Sequence, residues 1–174
     1  MTSDIDRRPA EERFREVFAH LGAVTAYARR RGSRDADGIA AEAMSIAWRR
    51  LADVPRDDPL PWLYATARNL LLAERRTASR TAAGGTSEPF VPAPELHELD
   101  PQLDRALRSL SPPDREALLL VAWEDLAPTQ AAHALRLNPT AFRVRLLRAR
   151  RRLRAALDEE RRPAPLVQID VEGT

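Results

Sequence analysis

LAPTQAAHALRLNPTAFRVRLLRARRRLRAAL, residues 126–157, reads as a short helix, a tight turn and a longer helix loaded with arginine. That is a helix-turn-helix, the arrangement that lays its second helix in the major groove of DNA. Pro128 and Pro139 each suit the first position of a helix, where the missing N–H leaves no bond unmade. Asn138 stands where an N-cap is needed and can accept a bond from an orphan backbone amide. Phe142, Leu146, Ala149 and Leu153 then recur at spacings of four, three and four, one apolar stripe along the second helix. Off that stripe lie Arg143, Arg145, Arg148, Arg150, Arg151, Arg152 and Arg154. A solvated helix face usually mixes both signs of charge. Here no acidic residue falls between Asp125 and Asp158, so the exposed face is built to meet an anion.

Upstream, Ser111-Pro112-Pro113 ends one short helix, residues 101–110, and starts another. Ser111 and Asp114 have capping-box spacing, with Asp in place of the usual Glu or Gln, and Leu118, Val121 and Ala122 mark the apolar side of the helix that follows. Residues 78–101 contain Gly84, Gly85, Pro89, Pro92, Pro94 and Pro101 among Ser, Thr and acids, the composition of a flexible linker. Three helices are expected before it. Residues 10–31 carry Phe14, Val17, Phe18, Leu21, Val24 and Ala28 as one stripe, ended by Gly32 and Ser33. Residues 35–51 turn Ile39, Ala43, Ile46 and Ala47 inward and place Asp35 and Asp37 at the positive end of the helix. After the turn-rich segment ADVPRDDPLP, residues 60–76 bury Leu63, Ala67, Leu70 and Leu71. The fold class is therefore all-α, two small helical domains (10–77 and 102–160) on a flexible linker, followed by a Pro-containing tail, 161–174. Within that tail LVQIDV alternates weakly like a strand.

Composition narrows the function. With 44% hydrophobic but only 5% aromatic residues, the cores are small and built from Ala and Leu. All 28 basic residues are arginine, the better bidentate partner for phosphate and guanine. The bias reaches plainly solvated positions too, and a GC-rich genome explains it more simply. The absence of cysteine excludes disulfides and thiolate metal sites and fits a reducing compartment. No run of 18 apolar residues occurs and the N-terminus lacks a signal-peptide core, so a soluble cytoplasmic protein without membrane insertion is expected. The net charge of +2 hides segregation: residues 136–162 carry ten Arg against three acids, and residues 81–104 five acids and no base. Basic charge gathered at one end is the footprint of nucleic-acid contact. The histidines, His20, His97 and His133, are dispersed, and no metalloprotease, nucleophile-elbow or phosphate-loop spacing occurs. No catalytic residue, metal ligand or cofactor is expected.

Two separate stretches resemble one family. DADGIAAEAMSIAWRRL followed by PLPWLYATARNLL resembles the central region of extracytoplasmic-function (ECF) sigma factors, the small promoter-recognition subunits of bacterial RNA polymerase. Residues 107–157 are similar to that family's C-terminal region, without a gap across the turn and second helix. A helix-turn-helix alone is a generic signal and leaves open a stand-alone transcription regulator. The W-L-x-x-x-A-R-N match upstream of a linker makes the combination specific.

The resemblance implies roles for named positions. Asp35, Asp37, Glu42, Ser45 and Arg49 form the polar helix face toward the polymerase core. Trp62, Tyr64, Arg68, Asn69, Arg75 and Arg76 meet the non-template strand of the −10 element, which is melted and held by stacking and phosphate contacts. Trp62 is equally readable as core, Asn69 as a backbone partner, and Trp48 is expected inside the core. Thr140, Arg143, Val144, Leu147 and Arg148 face the duplex −35 element, with Arg145 bracing the fold or a phosphate. The implied partners are polymerase core, promoter DNA and an anti-sigma factor. Four positions depart from the family pattern: Gly38 for Asp, Ala41 for Gln, Ala127 for an N-cap Ser, and Arg136 for the turn glycine. If that turn needs a positive φ, Arg136 costs about 1 kcal/mol.

Overall fold

The structure, a computed structural model, describes residues 7–82 and 100–160. Most of the expected linker and the whole tail, LVQIDV included, lie outside the described residues. Those residues form two groups of four helices. The first comprises α1 (Arg7–Phe18), α2 (Leu21–Arg30), α3 (Ala36–Arg49) and α4 (Leu60–Ala82); the second α5 (Pro101–Ser109), α6 (Pro112–Ala122), α7 (Pro128–Ala134) and α8 (Pro139–Glu160).

Residues 10–31 are two helices rather than one. A turn at Ala19 and His20 intervenes, closed by the His20 amide on the Val17 carbonyl at 3.1 Å. The apolar stripe passes through it, because Val17, Val24 and Ala28 are all buried, but α1 packs chiefly on α3 while α2 packs on both α3 and α4. Gly32, at φ 70°, ends α2 as a left-handed residue should. The Asp35 carboxylate caps α3 by accepting from the Gly38 amide at 2.8 Å. On α3 the core positions fall to Ala36, Ala40, Ala43, Met44 and Ala47, while Ile39 and Ile46 are only half-buried. α4 continues through Ala82, past the expected end at Arg76, and shortens the linker from its N-terminal side.

The glycine at 38 now has a reason. A Cβ there would stand 2.1 Å from an Asp35 carboxylate oxygen, so any other residue displaces the cap. Gly38→Ala should gain about 1 kcal/mol of helix propensity and lose about as much capping. The expected thermal stability is unchanged; a rise of several degrees would show that the cap contributes nothing.

In the second group, Phe142, Leu146 and Ala149 of α8 are buried against α5, α6 and α7. Arg115, itself buried, donates to the carbonyls of Leu107 (2.8 Å), Arg108 (2.8 Å) and Leu110 (3.2 Å), closing the C-terminal end of α5. The Ser111 hydroxyl caps α6 by accepting from the Asp114 amide at 3.4 Å, while the Asp114 carboxylate pairs with Arg152 of α8. Ala127 has no side chain to cap α7; Gln130 reaches back instead, accepting from the Ala127 amide at 2.7 Å.

The turn between α7 and α8 is a Schellman motif. The Leu137 amide bonds the Ala132 carbonyl at 2.9 Å, with Arg136 left-handed at φ 53°. Arg136→Gly should therefore stabilise the C-terminal domain by about 1 kcal/mol. Urea unfolding checks this, and an unshifted midpoint would mean the turn relaxes to accommodate arginine.

Candidate nucleic-acid interface

α8 starts where its cap dictates. Asn138 accepts from the Thr140 amide through its side chain at 2.8 Å and from the Phe142 amide through its carbonyl at 2.9 Å. With Phe142, Leu146 and Ala149 turned inward, Thr140, Arg143, Val144, Leu147 and Arg148 all come to the exposed side. Val144 and Leu147 show 43% and 52% of their surface, unusual for large apolar residues of a helix seated on a core. Thr140, Val144, Arg145 and Arg148 line one depression of about 620 Å³ with Ser111, Asp114 and Arg152. Among the described residues, Arg143, Arg145, Arg148, Arg150, Arg151 and Arg154 have no carboxylate within ion-pair distance. The face is thus a field of unneutralised guanidinium groups around two apolar side chains, suited to phosphates and guanine edges flanking thymine methyls.

The candidates on α4 divide by helical register. Trp62, Asn69 and Arg76 are seven apart and share one face; Asn69 and Arg76 are exposed, and Trp62 is half-buried against the core with its carbonyl accepting from the Thr66 hydroxyl at 3.0 Å. Tyr64, Arg68 and Arg75 lie on another face, toward the second domain. Tyr64 is buried and stacks on Tyr27 (centroids 4.6 Å, planes 19° apart). Its hydroxyl is pushed up to about 12, first by burial and then by Glu124. Arg75 donates to the Arg31 carbonyl at 2.7 Å, its pKa lowered chiefly by burial. Arg68 is half-buried and lines a small cavity with Tyr27, Arg31, Arg75, Pro112, Pro113 and Glu116. The structure does not gather all six into one surface.

Between the domains lies a charge cluster that neither half announces. Arg31 donates through Nε to both Glu116 oxygens (3.0 and 3.1 Å) and through Nη1 to Glu124 at 2.7 Å. Arg30 also pairs with Glu124. The side chains of Arg31 and Glu124 are 5% and 1% exposed. Tyr27 donates to Glu116 at 3.0 Å and lies under the Arg31 guanidinium, 3.6 Å from its ring centroid. Burial first, and then Glu116, hold the Tyr27 hydroxyl well above the usual tyrosine range. At the edge, Gln130 of α7 donates to Asp58 at 2.8 Å, where α7 packs along α4.

The polar residues of α3 are placed as a face but not as free charges. Asp35 is occupied as a cap, Asp37 lies 4.0 Å from Arg29, Glu42 pairs with Arg49 at 2.9 Å, and Ser45 is exposed. Their apolar centre is missing from the sequence expectation. Trp48 is not in the core: it is 41% exposed and meets Phe14 edge-on at 5.0 Å. With Phe14, Phe18, Leu21 and Met44 it forms an apolar groove of about 650 Å³, rimmed by Ser45 and Arg49. The signal was available, since four alanines and Met44 take the inward positions of α3 and leave Trp48 one residue off the stripe.

A helix-turn-helix with an open cationic face, joined to a helical domain with an aromatic and cationic helix, has the make-up of a two-domain DNA-binding protein. Residues 17–81 match sigma-70 region 2 and residues 101–153 match sigma-70 region 4, together well over half of the chain. The chain belongs to the sigma-70 family and is an ECF sigma factor, directing RNA polymerase core to promoters for transcription initiation. Among solved structures it is similar to the sigma factor RpoE in complex with the anti-sigma factor NepR from Bartonella quintana (22% identity, TM-score 0.61, covering 84% of this chain and 97% of that one). It is also similar to CnrH in complex with the cytosolic domain of CnrY (25%, 0.59, 90% and 99%). A third similarity is to the PhyRSL–NepR complex from Sphingomonas sp. Fr1 (22%, 0.58, 87% and 92%). No curated protein matches it in sequence. No helix among the described residues is long and apolar enough to cross a membrane.

Proposed function

We propose that the three surfaces divide the work of initiation. The exposed face of α8, with Thr140, Arg143, Val144, Leu147 and Arg148, reads the −35 duplex. The Trp62–Asn69–Arg76 face of α4 holds the −10 non-template strand, with Tyr64, Arg68 and Arg75 added when the domains part. The α1–α3 groove, ringed by Asp37, Glu42, Ser45 and Arg49, seats the polymerase core, and Asp35 supports it by capping α3. The observation that carries this reading is the pairing of unlike DNA faces in one chain: unpaired arginines on one domain, a ring and an amide in helical register on the other. Duplex is bound through phosphates and groove edges, unstacked bases through aromatic faces.

On this reading the chain works in the cytoplasm, where core polymerase acts, and contributes no catalysis of its own. An anti-sigma factor is a natural partner, because the described relatives RpoE and CnrH were solved in such complexes or with a partner's cytosolic domain. Run-off transcription with purified core and genomic DNA tests the proposal; specific start sites are expected, and none with a chain that still binds −35 duplex would return the protein to the stand-alone regulator class. Arg148→Ala should weaken promoter binding by about 1–3 kcal/mol and relax selectivity at one −35 position. An equal loss on every sequence would make Arg148 a phosphate contact.

A further inference from the structure

The arginines of α8 are not equivalent. Phe142, Leu146, Ala149 and Leu153 face the core, and Thr140, Val144, Leu147 and Arg151 repeat the same spacings two residues out of step. At 3.6 residues per turn that shift is about 200°, so the second line points away from the core. The other arginines fall on the two flanks between these lines: Arg143, Arg150 and Arg154 on one, Arg145, Arg148 and Arg152 on the other. The second flank has a wall. Ser111, Pro113 and Asp114, at the start of α6, close it into the depression of about 620 Å³.

One of these arginines is held. Among the described residues, Arg152 alone of the α8 arginines pairs with a carboxylate, that of Asp114. The pair is lopsided, the Asp114 side chain 8% exposed and that of Arg152 61%. The carboxylate therefore stands behind the guanidinium rather than beside it in solvent. Arg105–Glu160 and Arg108–Asp104, in the same domain, leave both partners in reach of water. The backbone beneath the carboxylate is fixed, because the Asp114 amide donates to the Ser111 carbonyl at 3.0 Å and to its hydroxyl at 3.4 Å.

A guanidinium carries five N–H donors in one rigid plane. Asp114 takes one, through Nη1, and the described residues offer the others no partner. A planar group gripped from behind presents its free edge outward. Burying a carboxylate against an exposed partner adds little net stability; what it does set is the direction of the guanidinium. Arg145, Arg148 and Arg152 against one carboxylate leave the depression with surplus positive charge, on the flank where a helix in the major groove meets backbone phosphates.

We infer that Asp114 is a positioning residue for −35 recognition: from behind, it holds Arg152 so that Arg152 grips a phosphate of the duplex on the α6 side of α8. This rests on the reading of α8 as the −35 reader.

The sign of one effect tests it. A carboxylate that only sits near DNA repels phosphate, and its removal tightens binding. A carboxylate that aims an arginine loosens binding when removed. Holoenzyme made with each variant is titrated, over a range of salt, with a promoter duplex from a run-off start site and with the same duplex carrying a scrambled −35 element. Asp114→Ala is expected to lower affinity for both about two- to tenfold, the cost of ordering one long side chain. Arg152→Ala should lower it at least about tenfold and reduce the salt slope by about one. In the Arg152→Ala background, Asp114→Ala should reverse sign and tighten binding. Asp114→Asn, which keeps the shape without the charge, should act in the same direction as Asp114→Ala and replaces it if urea unfolding shows a lost domain. Weaker binding in both backgrounds would make Asp114 merely structural and overturn the inference. So would tighter binding when Asp114 alone is replaced, or an unchanged salt slope in Arg152→Ala. The −35 reading is judged apart, by an Arg143→Ala, Arg148→Ala chain. If that chain binds as before, the reading falls and the inference with it; if it loses binding while the Asp114 and Arg152 variants do not, the inference alone falls.

Discussion

Trp48→Ala is expected to weaken binding to polymerase core by about 2–4 kcal/mol, the range of an aromatic anchor at the centre of an interface. The ring is already held edge-on by Phe14 at 5.0 Å, so little freedom is lost when a partner covers it. Rim residues contribute less: Glu42→Ala, which removes an exposed pair with Arg49, should cost no more than about 1 kcal/mol. Binding of labelled chain to core, with −35 duplex binding as the control, separates the two. Unchanged core affinity in a folded Trp48→Ala chain would remove the groove from the polymerase interface.

Phe142→Ala is expected to destabilise the C-terminal domain by about 3–5 kcal/mol, from lost burial and the cavity left behind. The ring is fully buried where α8 meets its neighbours, and a loss of that size is a large share of the stability of so small a domain. Urea unfolding should show the C-terminal domain melting first and −35 affinity falling with it. The first domain should keep its helices. A loss below about 1 kcal/mol would mean that the surrounding helices close over the site.

What could be read ahead of the structure was local. Asn138, Pro139 and the stripe from Phe142 to Ala149 announce α8 because cap, first position and periodicity agree within a dozen residues. Arg136 announces its own strain, since a turn that closes by a Schellman bond needs a left-handed residue. Legibility failed where two distant segments meet. The break at Ala19 leaves the apolar stripe intact, so periodicity runs through it. Glu116 on α6 and Glu124 just beyond its end look like ordinary surface acids until Arg30 and Arg31 arrive from the other domain. Tyr64 and Arg75 are the residue types that single-stranded DNA asks for, and only packing reveals that they are engaged elsewhere. Splitting the α4 candidates by spacing, with Trp62, Asn69 and Arg76 seven apart, separates the two faces without any coordinates.

The meeting of Tyr27 and Arg31 with Glu116 is made within one chain, so dilution cannot break it. Each domain sees the other at a local concentration that does not change with that of the protein. A partner that needs the domains apart must supply the free energy of parting them from its own binding. Affinity for such a partner falls in proportion to the fraction of chains in the parted form. The pairing of a few charges thus sets a cost that any partner requiring the domains apart meets at every protein concentration.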